Sequence, residues 1–216
     1  MNLIRQYKKH IIVILLLILI ASLMECTMAI YFDKLIQEPL SVGHLFNLRP
    51  VYNESGSWYH ARLGIGYAQG LLITENLAAL LIVWLAYGFL GAWGWFFGMR
   101  SCWPYLLDFV LAPTLYRLFH SILGIYTLDY IRVVGRRGTN TFDFPDFYLG
   151  ISVVAMFVWF ICALIPYYKY KHIQVKGMRL LPRFMWEFHL MASFAKAVFI
   201  PKECWAELFE KAGYGR

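Results

Sequence analysis

The sequence predicts an all-α membrane protein: four transmembrane helices, a small extracytoplasmic β-sheet and a C-terminal amphipathic helical tail. Three observations lead there. Of the 216 residues, 60% are hydrophobic and only 15% are charged, with a mean hydropathy of +0.55; a soluble domain has roughly 45–50% apolar and about 25% charged residues. Four apolar runs reach the roughly 20 residues that a spanning helix needs. The basic residues behind the +7 net charge flank those runs, so membrane topology accounts for them better than nucleic-acid binding does.

The first span is expected from about His10 to Phe32, after the basic segment Arg5-Gln6-Tyr7-Lys8-Lys9. It is read as a retained span and not a cleaved leader, because Glu25 stands before Cys26 where a small residue would precede a cleavage site. The second runs from about Gln69 to Gly91, with a Trp/Phe-rich continuation to Gly98. The third runs from about Pro104 to Tyr126 and the fourth from about Phe147 to Tyr168. With the N-terminus inside, 13 of the 20 Lys and Arg residues fall on the cytoplasmic side and 6 outside, with Arg117 inside the third span. That bias places both termini in the cytoplasm.

Between the first two spans, residues 33–68 are too polar to cross a membrane. Phe46-Asn47-Leu48-Arg49-Pro50-Val51-Tyr52 alternates loosely, as a strand does, and Asn53-Glu54-Ser55-Gly56 reads as a turn. The expected organisation is therefore a membrane domain over 1–170 with an extracytoplasmic insert at about 33–68, followed by a tail over 171–216. The tail mixes basic residues with Trp186, Phe188, Phe194, Phe199, Trp205 and Phe209, as helices lying on a membrane surface do. A partner-binding surface is the alternative. Cys26, Cys102, Cys162 and Cys204 are scattered without metal-ligand or disulfide-framework spacing, so no metal and no cofactor is expected.

Chemistry concentrates at the outer edges of the third and fourth spans. Asp129 lies in Tyr126-Thr127-Leu128-Asp129-Tyr130-Ile131, and Asp146 lies in Phe142-Asp143-Phe144-Pro145-Asp146-Phe147, 17 residues on. If the two helices are antiparallel neighbours, both carboxylates reach the same level. Two like charges that close cannot both stay ionised, so one acid keeps its proton while the other takes one from water. Each could instead be a loop or helix-cap carboxylate, and Asp146 is placed to cap the fourth helix. Asp143 could replace either partner. Arg117 needs an acid, a carbonyl or water beside it, and His120, near the same level, reads as a packing residue. No GxSxG, HExxH or phosphate-binding glycine loop occurs, which removes most familiar hydrolase classes.

At these residues the chain resembles signal peptidase II, the lipoprotein signal peptidase family. Phe46-Asn47-Leu48-Arg49-Pro50-Val51-Tyr52-Asn53 is similar to the family's FNLxxVxN segment, Gly124-Ile125-Tyr126-Thr127-Leu128-Asp129-Tyr130-Ile131 to its GxVVDFI segment, and Phe142-Asp143-Phe144-Pro145-Asp146 to its FNxAD segment. The resemblance covers roughly residues 10–168 and departs from the family where Asp143 replaces an asparagine and Pro145 an alanine. The GNxxDR and DQxxK segments have no clean counterpart. What it implies is an intramembrane aspartic endopeptidase with Asp129 and Asp146 as catalytic dyad and Asn53, Arg117 and Asp143 about the substrate. The substrate would be a prolipoprotein with a lipidated cysteine, cleaved at the outer face of a bacterial cytoplasmic membrane. The other expectations are contact with membrane lipid, a monomer, and no nucleic acid. Two alternatives stand beside it: a non-catalytic member that binds lipidated proteins, and an unrelated four-span transporter or assembly factor.

Overall fold

The computed structural model describes residues 2–43, 46–54, 58–99, 103–135 and 138–214. Ser55 and Gly56 of the expected turn, with Cys102 and the arginines at 100, 136, 137 and 216, lie outside the described residues. Eight helices and four strands follow in the order α1 (Asn2–Ile30), α2 (Phe32–Gln37), β1 (Leu40–Val42), β2 (Phe46–Tyr52), α3 (Trp58–Leu63), α4 (Gln69–Phe96), α5 (Trp103–Leu123), β3 (Leu128–Gly135), β4 (Gly138–Phe142), α6 (Phe144–Gln174), α7 (Leu180–Ala197) and α8 (Trp205–Lys211).

Among the described residues, four stretches are long and apolar enough to cross a membrane: Lys8–Ile30, Gln69–Phe96, Leu106–Leu123 and Phe144–Gln174. They coincide with the four expected spans, though the last begins at Phe144 and continues past Tyr168. The long α1 leaves Leu15, Leu16, Leu19 and Leu23 exposed. In a helix whose backbone groups are all bonded internally, such side chains belong against lipid.

The sheet departs from expectation in one respect that matters for the site. Its strands run in the order β1-β2-β3-β4, antiparallel throughout. Two of the four come from residues 128–142, between the third and fourth spans, whereas the sequence predicts a strand only over 46–52. Conversely, residues 58–63 of the insert form a helix and not sheet. Along β3, Leu128 and Tyr130 are buried against Met28 of α1, with Phe32, Leu35 and Phe144 packed around them. Asp129 therefore points to the other face, by the period-2 alternation of a strand. The β2–β3 register shifts between Leu48 and Val51, where Pro50 lies buried. Proline lacks the ladder N–H, so a bulge is where a strand tolerates it. Beyond the bulge, Val51 pairs with Asp129 and Tyr52 with Leu128, and the Asn53 amide donates to the Thr127 carbonyl at 2.9 Å.

The chain groups into two compact units, Met1–Leu80 with Asp108–Ser152, and Leu81–Leu107 with Val153–Arg216. In the first, Leu17 and Ala21 of α1 pack on Ala112 and Tyr116 of α5 and on Tyr148 of α6. In the second, the end of α4 presents an aromatic cluster: Trp93 lies 5.3 Å from Tyr167 and 5.0 Å from Phe194, and Phe96 lies 4.7 Å from Phe209. These rings bury the far half of α7 and hold α8. A Cβ at Gly88 would stand 2.8 Å from the Val198 side chain, so the glycine allows α4 and the end of α7 to meet.

Candidate active site

The site is built at the start of α6. The first turn of a helix has N–H groups with no partner inside the helix. Here the Phe144 N–H donates to the Tyr130 hydroxyl at 3.1 Å, and the Asp146 N–H donates to Asp143 Oδ1 at 2.7 Å. Pro145 has no N–H to satisfy. Asp143, and not Asp146, is thus the capping residue, and its carboxyl is 3% exposed as a residue. Proline in place of alanine at 145 loses no bond, because the first helical turn tolerates it.

With Asp143 capping, the Asp146 side chain is left to pair with α5. Its Oδ1 accepts from the Arg117 guanidinium of α5. The same guanidinium lies 3.7 Å from Asp143 Oδ1. Asp129 arrives from β3, where Asn53 Nδ2 donates to its Oδ2 at 3.3 Å. Carboxylate oxygens of Asp129, Asp143 and Asp146 all lie within 4.8 Å of one another. The five residues singled out from sequence, Asn53, Arg117, Asp129, Asp143 and Asp146, are therefore one connected cluster.

Such crowding has an electrostatic consequence. Burial, then the charges of Asp143 and Asp146, push the Asp129 carboxyl up from its usual range to about 7; Arg117 and the Asn53 amide oppose them. Asp143 is raised too, by burial above all and by Asp146, against the pull of Arg117. A buried acid beside like charges keeps a proton that a surface carboxylate would release. The Asp146 side chain is 35% exposed, so one member of the group is open to a reactant from outside.

Three further residues shape the site: Glu25, Tyr116 and His120, the last read from sequence as a packing residue. Glu25 of α1 accepts from the Tyr116 hydroxyl with Oε2, and from the Leu128 backbone N–H at 3.0 Å with Oε1. His120 Nε2 lies 3.4 Å from the same carboxylate. Glu25 thus ties α1 to α5 and to the residue preceding Asp129. The available signal was an acid inside an apolar span, which requires partners; Tyr116 and His120, one helical turn apart on α5, were the groups of matching chemistry. Replacing Glu25 with alanine leaves the Leu128 N–H and the Tyr116 hydroxyl without acceptors. We expect Glu25→Ala to destabilise the protein by about 2–6 kcal/mol, at about 1–3 kcal/mol for each of the two orphaned groups. Glu25→Gln, which keeps an acceptor oxygen, should cost less than half of that. Thermal unfolding in detergent of both variants measures the difference.

No protein-family model matches this chain, and no curated protein sequence does. Two solved structures share its fold, each described as a bacterial membrane enzyme solved by the in meso method. The one at 2.3 Å is 14% identical, with a TM-score of 0.53, and the match covers 80% of this chain and 93% of the other. The one at 1.9 Å is 15% identical, also with a TM-score of 0.53, covering 71% of this chain and 92% of the other. The chain is thus a mostly helical, multi-pass membrane protein carrying a four-stranded antiparallel sheet, in a fold also used by bacterial membrane enzymes.

Proposed function

We propose that this chain is an aspartic endopeptidase of signal peptidase II type, removing the signal peptide from prolipoproteins that carry a diacylglyceryl-modified cysteine. The observation that carries the reading is the meeting of Asp129 and Asp146, with oxygens no more than 4.8 Å apart, beside Asn53 and at the ends of two apolar spans. That separation lets one water bridge the two acids. In this mechanism Asp146, paired with Arg117, takes a proton from the water as it attacks the scissile carbonyl. Asp129, protonated near neutral pH, donates to the carbonyl oxygen; as the tetrahedral intermediate collapses, Asp146 passes the proton it took from water to the leaving nitrogen and Asp129 takes its own back from the hydroxyl. Asn53 holds Asp129 and the substrate backbone. No metal and no covalent intermediate is needed. The common fold with bacterial membrane enzymes supports the reading, and the sequence topology would put this chemistry at the outer face of a bacterial cytoplasmic membrane, both termini inside.

A specific observation favours a second reading, a non-catalytic member that binds lipidated proteins. Arg117 engages the carboxylate that water would use. The decisive assay is cleavage of a diacylated prolipoprotein peptide by the reconstituted protein: turnover supports the peptidase, and tight binding without turnover supports the binding module. Transport has less support, since two acids inside the second and third spans are each held by a histidine, Glu75 by His60 at 2.9 Å and Asp108 by His10 at 2.7 Å.

Asp143→Asn is the informative conservative change. An asparagine Oδ1 accepts the Asp146 N–H as the carboxylate does, so the cap survives and activity should be retained. It also removes one of the charges that hold the Asp129 proton. The alkaline limb of the rate profile, set by loss of that proton near pH 7, should therefore move to lower pH. A profile identical to wild type would show that Asp129 does not act as the acid.

A further inference from the structure

Away from the acid cluster, and independently of the proteolytic reading, the second unit carries a surface of a different kind. Helix α6 has 31 residues, about 46 Å at about 1.5 Å per residue, against a hydrocarbon core about 30 Å thick. Its last turns must stand in the headgroup region. They carry Lys169, Lys171 and His172, and Lys176 follows directly. There a groove of about 420 Å³ is lined by Tyr168, Lys171, His172, Val175, Lys176 and Arg183. Val175 is buried, while His172, Lys176 and Arg183 are exposed. The acid nearest these cations is Glu187, 2.7 Å from Lys171 Nζ and 3.6 Å from Arg183 Nε, which leaves the groove with an excess of positive charge.

Beside the groove, the two halves of α7 differ: the second half is packed and the first half is open. Leu190, Phe194 and Ala197 are buried. Leu180, Leu181, Phe184, Met185 and Phe188 are exposed, Leu180 at 88% and Phe188 at 60%. Their spacing of one and four residues places them in one stripe. A contiguous exposed apolar stripe of this size marks an interaction surface, and flanking cations are what an anionic membrane surface attracts.

We propose that the basic groove and the α7 stripe form one docking site for an anionic phospholipid of the leaflet in which α6 ends. The phosphodiester sits among His172, Lys176 and Arg183. The acyl chains lie along Leu180, Phe184 and Phe188. The site anchors the C-terminal segment to acidic membrane and lets the lipid composition of that leaflet bear on the aromatic cluster that α7 covers.

Native mass spectrometry of the full chain in detergent, titrated separately with dioleoyl phosphatidylglycerol and dioleoyl phosphatidylcholine, tests this. We expect the anionic lipid to bind roughly tenfold more tightly, with the preference shrinking at high salt. Lys176→Gln with Arg183→Gln should abolish the preference and leave phosphatidylcholine binding as it was. Leu180→Gln with Leu181→Gln should weaken both lipids. Should the Arg183 variant lower the unfolding temperature through loss of its contact to Glu187, His172→Gln with Lys176→Gln replaces it, since both side chains are exposed. Equal retention of the two lipids overturns the proposal. So does full displacement of the phosphatidylglycerol by inorganic phosphate at equal concentration, which would mark a free-anion site, or by an acidic octapeptide, which would mark a protein partner.

Discussion

Asparagine at either Asp129 or Asp146 is expected to lower cleavage of a diacylated prolipoprotein peptide by about 10²–10⁴-fold, the range that positioned acid and base groups contribute. Binding of the peptide should change little, because asparagine keeps the shape and the acceptor oxygen. The two variants should fail for different reasons. Asp146→Asn removes the carboxylate that faces the exposed side and takes the proton from water. Asp129→Asn removes the group whose carboxyl burial and its neighbours hold near pH 7, and with it the proton offered to the carbonyl. The protonated Asp129 required of an acid is present below about pH 7 and lost above it, so wild-type activity should fall as pH rises through neutrality. If both variants fold, bind peptide and keep full rate, the dyad is wrongly assigned. If wild type binds without cleaving, the non-catalytic reading takes its place.

The parts of this molecule that the sequence made legible are those governed by long-range averages. Each spanning helix declares itself through some twenty consecutive apolar residues, and the β2 strand through alternation from Phe46 to Tyr52. The β3–β4 hairpin was illegible for a local reason. In Leu128-Asp129-Tyr130-Ile131 the buried residues are Leu128 and Tyr130, a period of two, but the alternating run is only three residues long and the apolar Ile131 after it breaks the pattern. The segment is a strand through its pairing with β4 on one side and β2 on the other, and the β2 pairing, which takes in Asp129, is non-local. The acid cluster was legible in membership and not in arrangement. Asp143 reads as a third acid competing for the dyad, whereas its side chain satisfies the Asp146 N–H and so turns Asp146 toward Arg117. Capping competes with catalysis for the same residue type, and only the backbone decides which acid does which.

Arg117 carries the second large expected effect. It is the cation that faces both Asp143 and Asp146, and it also opposes ionisation's cost at Asp129. Arg117→Met should destabilise the protein by about 2–3 kcal/mol, short of the about 3–5 kcal/mol for breaking a fully buried pair, because a third of the guanidinium side chain stays exposed. The loss should depend on pH in a definite direction. Without the arginine, carboxylates within 4.8 Å of one another repel most when all are ionised, so the deficit is largest above neutrality and shrinks as they take up protons in acid. Thermal unfolding of wild type and Arg117→Met across pH 5–9, where the two curves should converge toward acid, measures this. Arg117→Lys, which keeps the charge but not the planar fork, should recover most of the stability. Activity separates the two functional readings at the same position. In a peptidase, removing the cation lets Asp129 hold its proton to higher pH, so the alkaline limb moves up, opposite to the shift expected of Asp143→Asn. If the site instead binds lipidated proteins without cleaving them, Arg117→Met leaves peptide binding intact and shows no turnover at any pH. Opposite displacements of one limb by substitutions at two residues that face the same acid would be hard to obtain from a site in which Asp129 is a bystander.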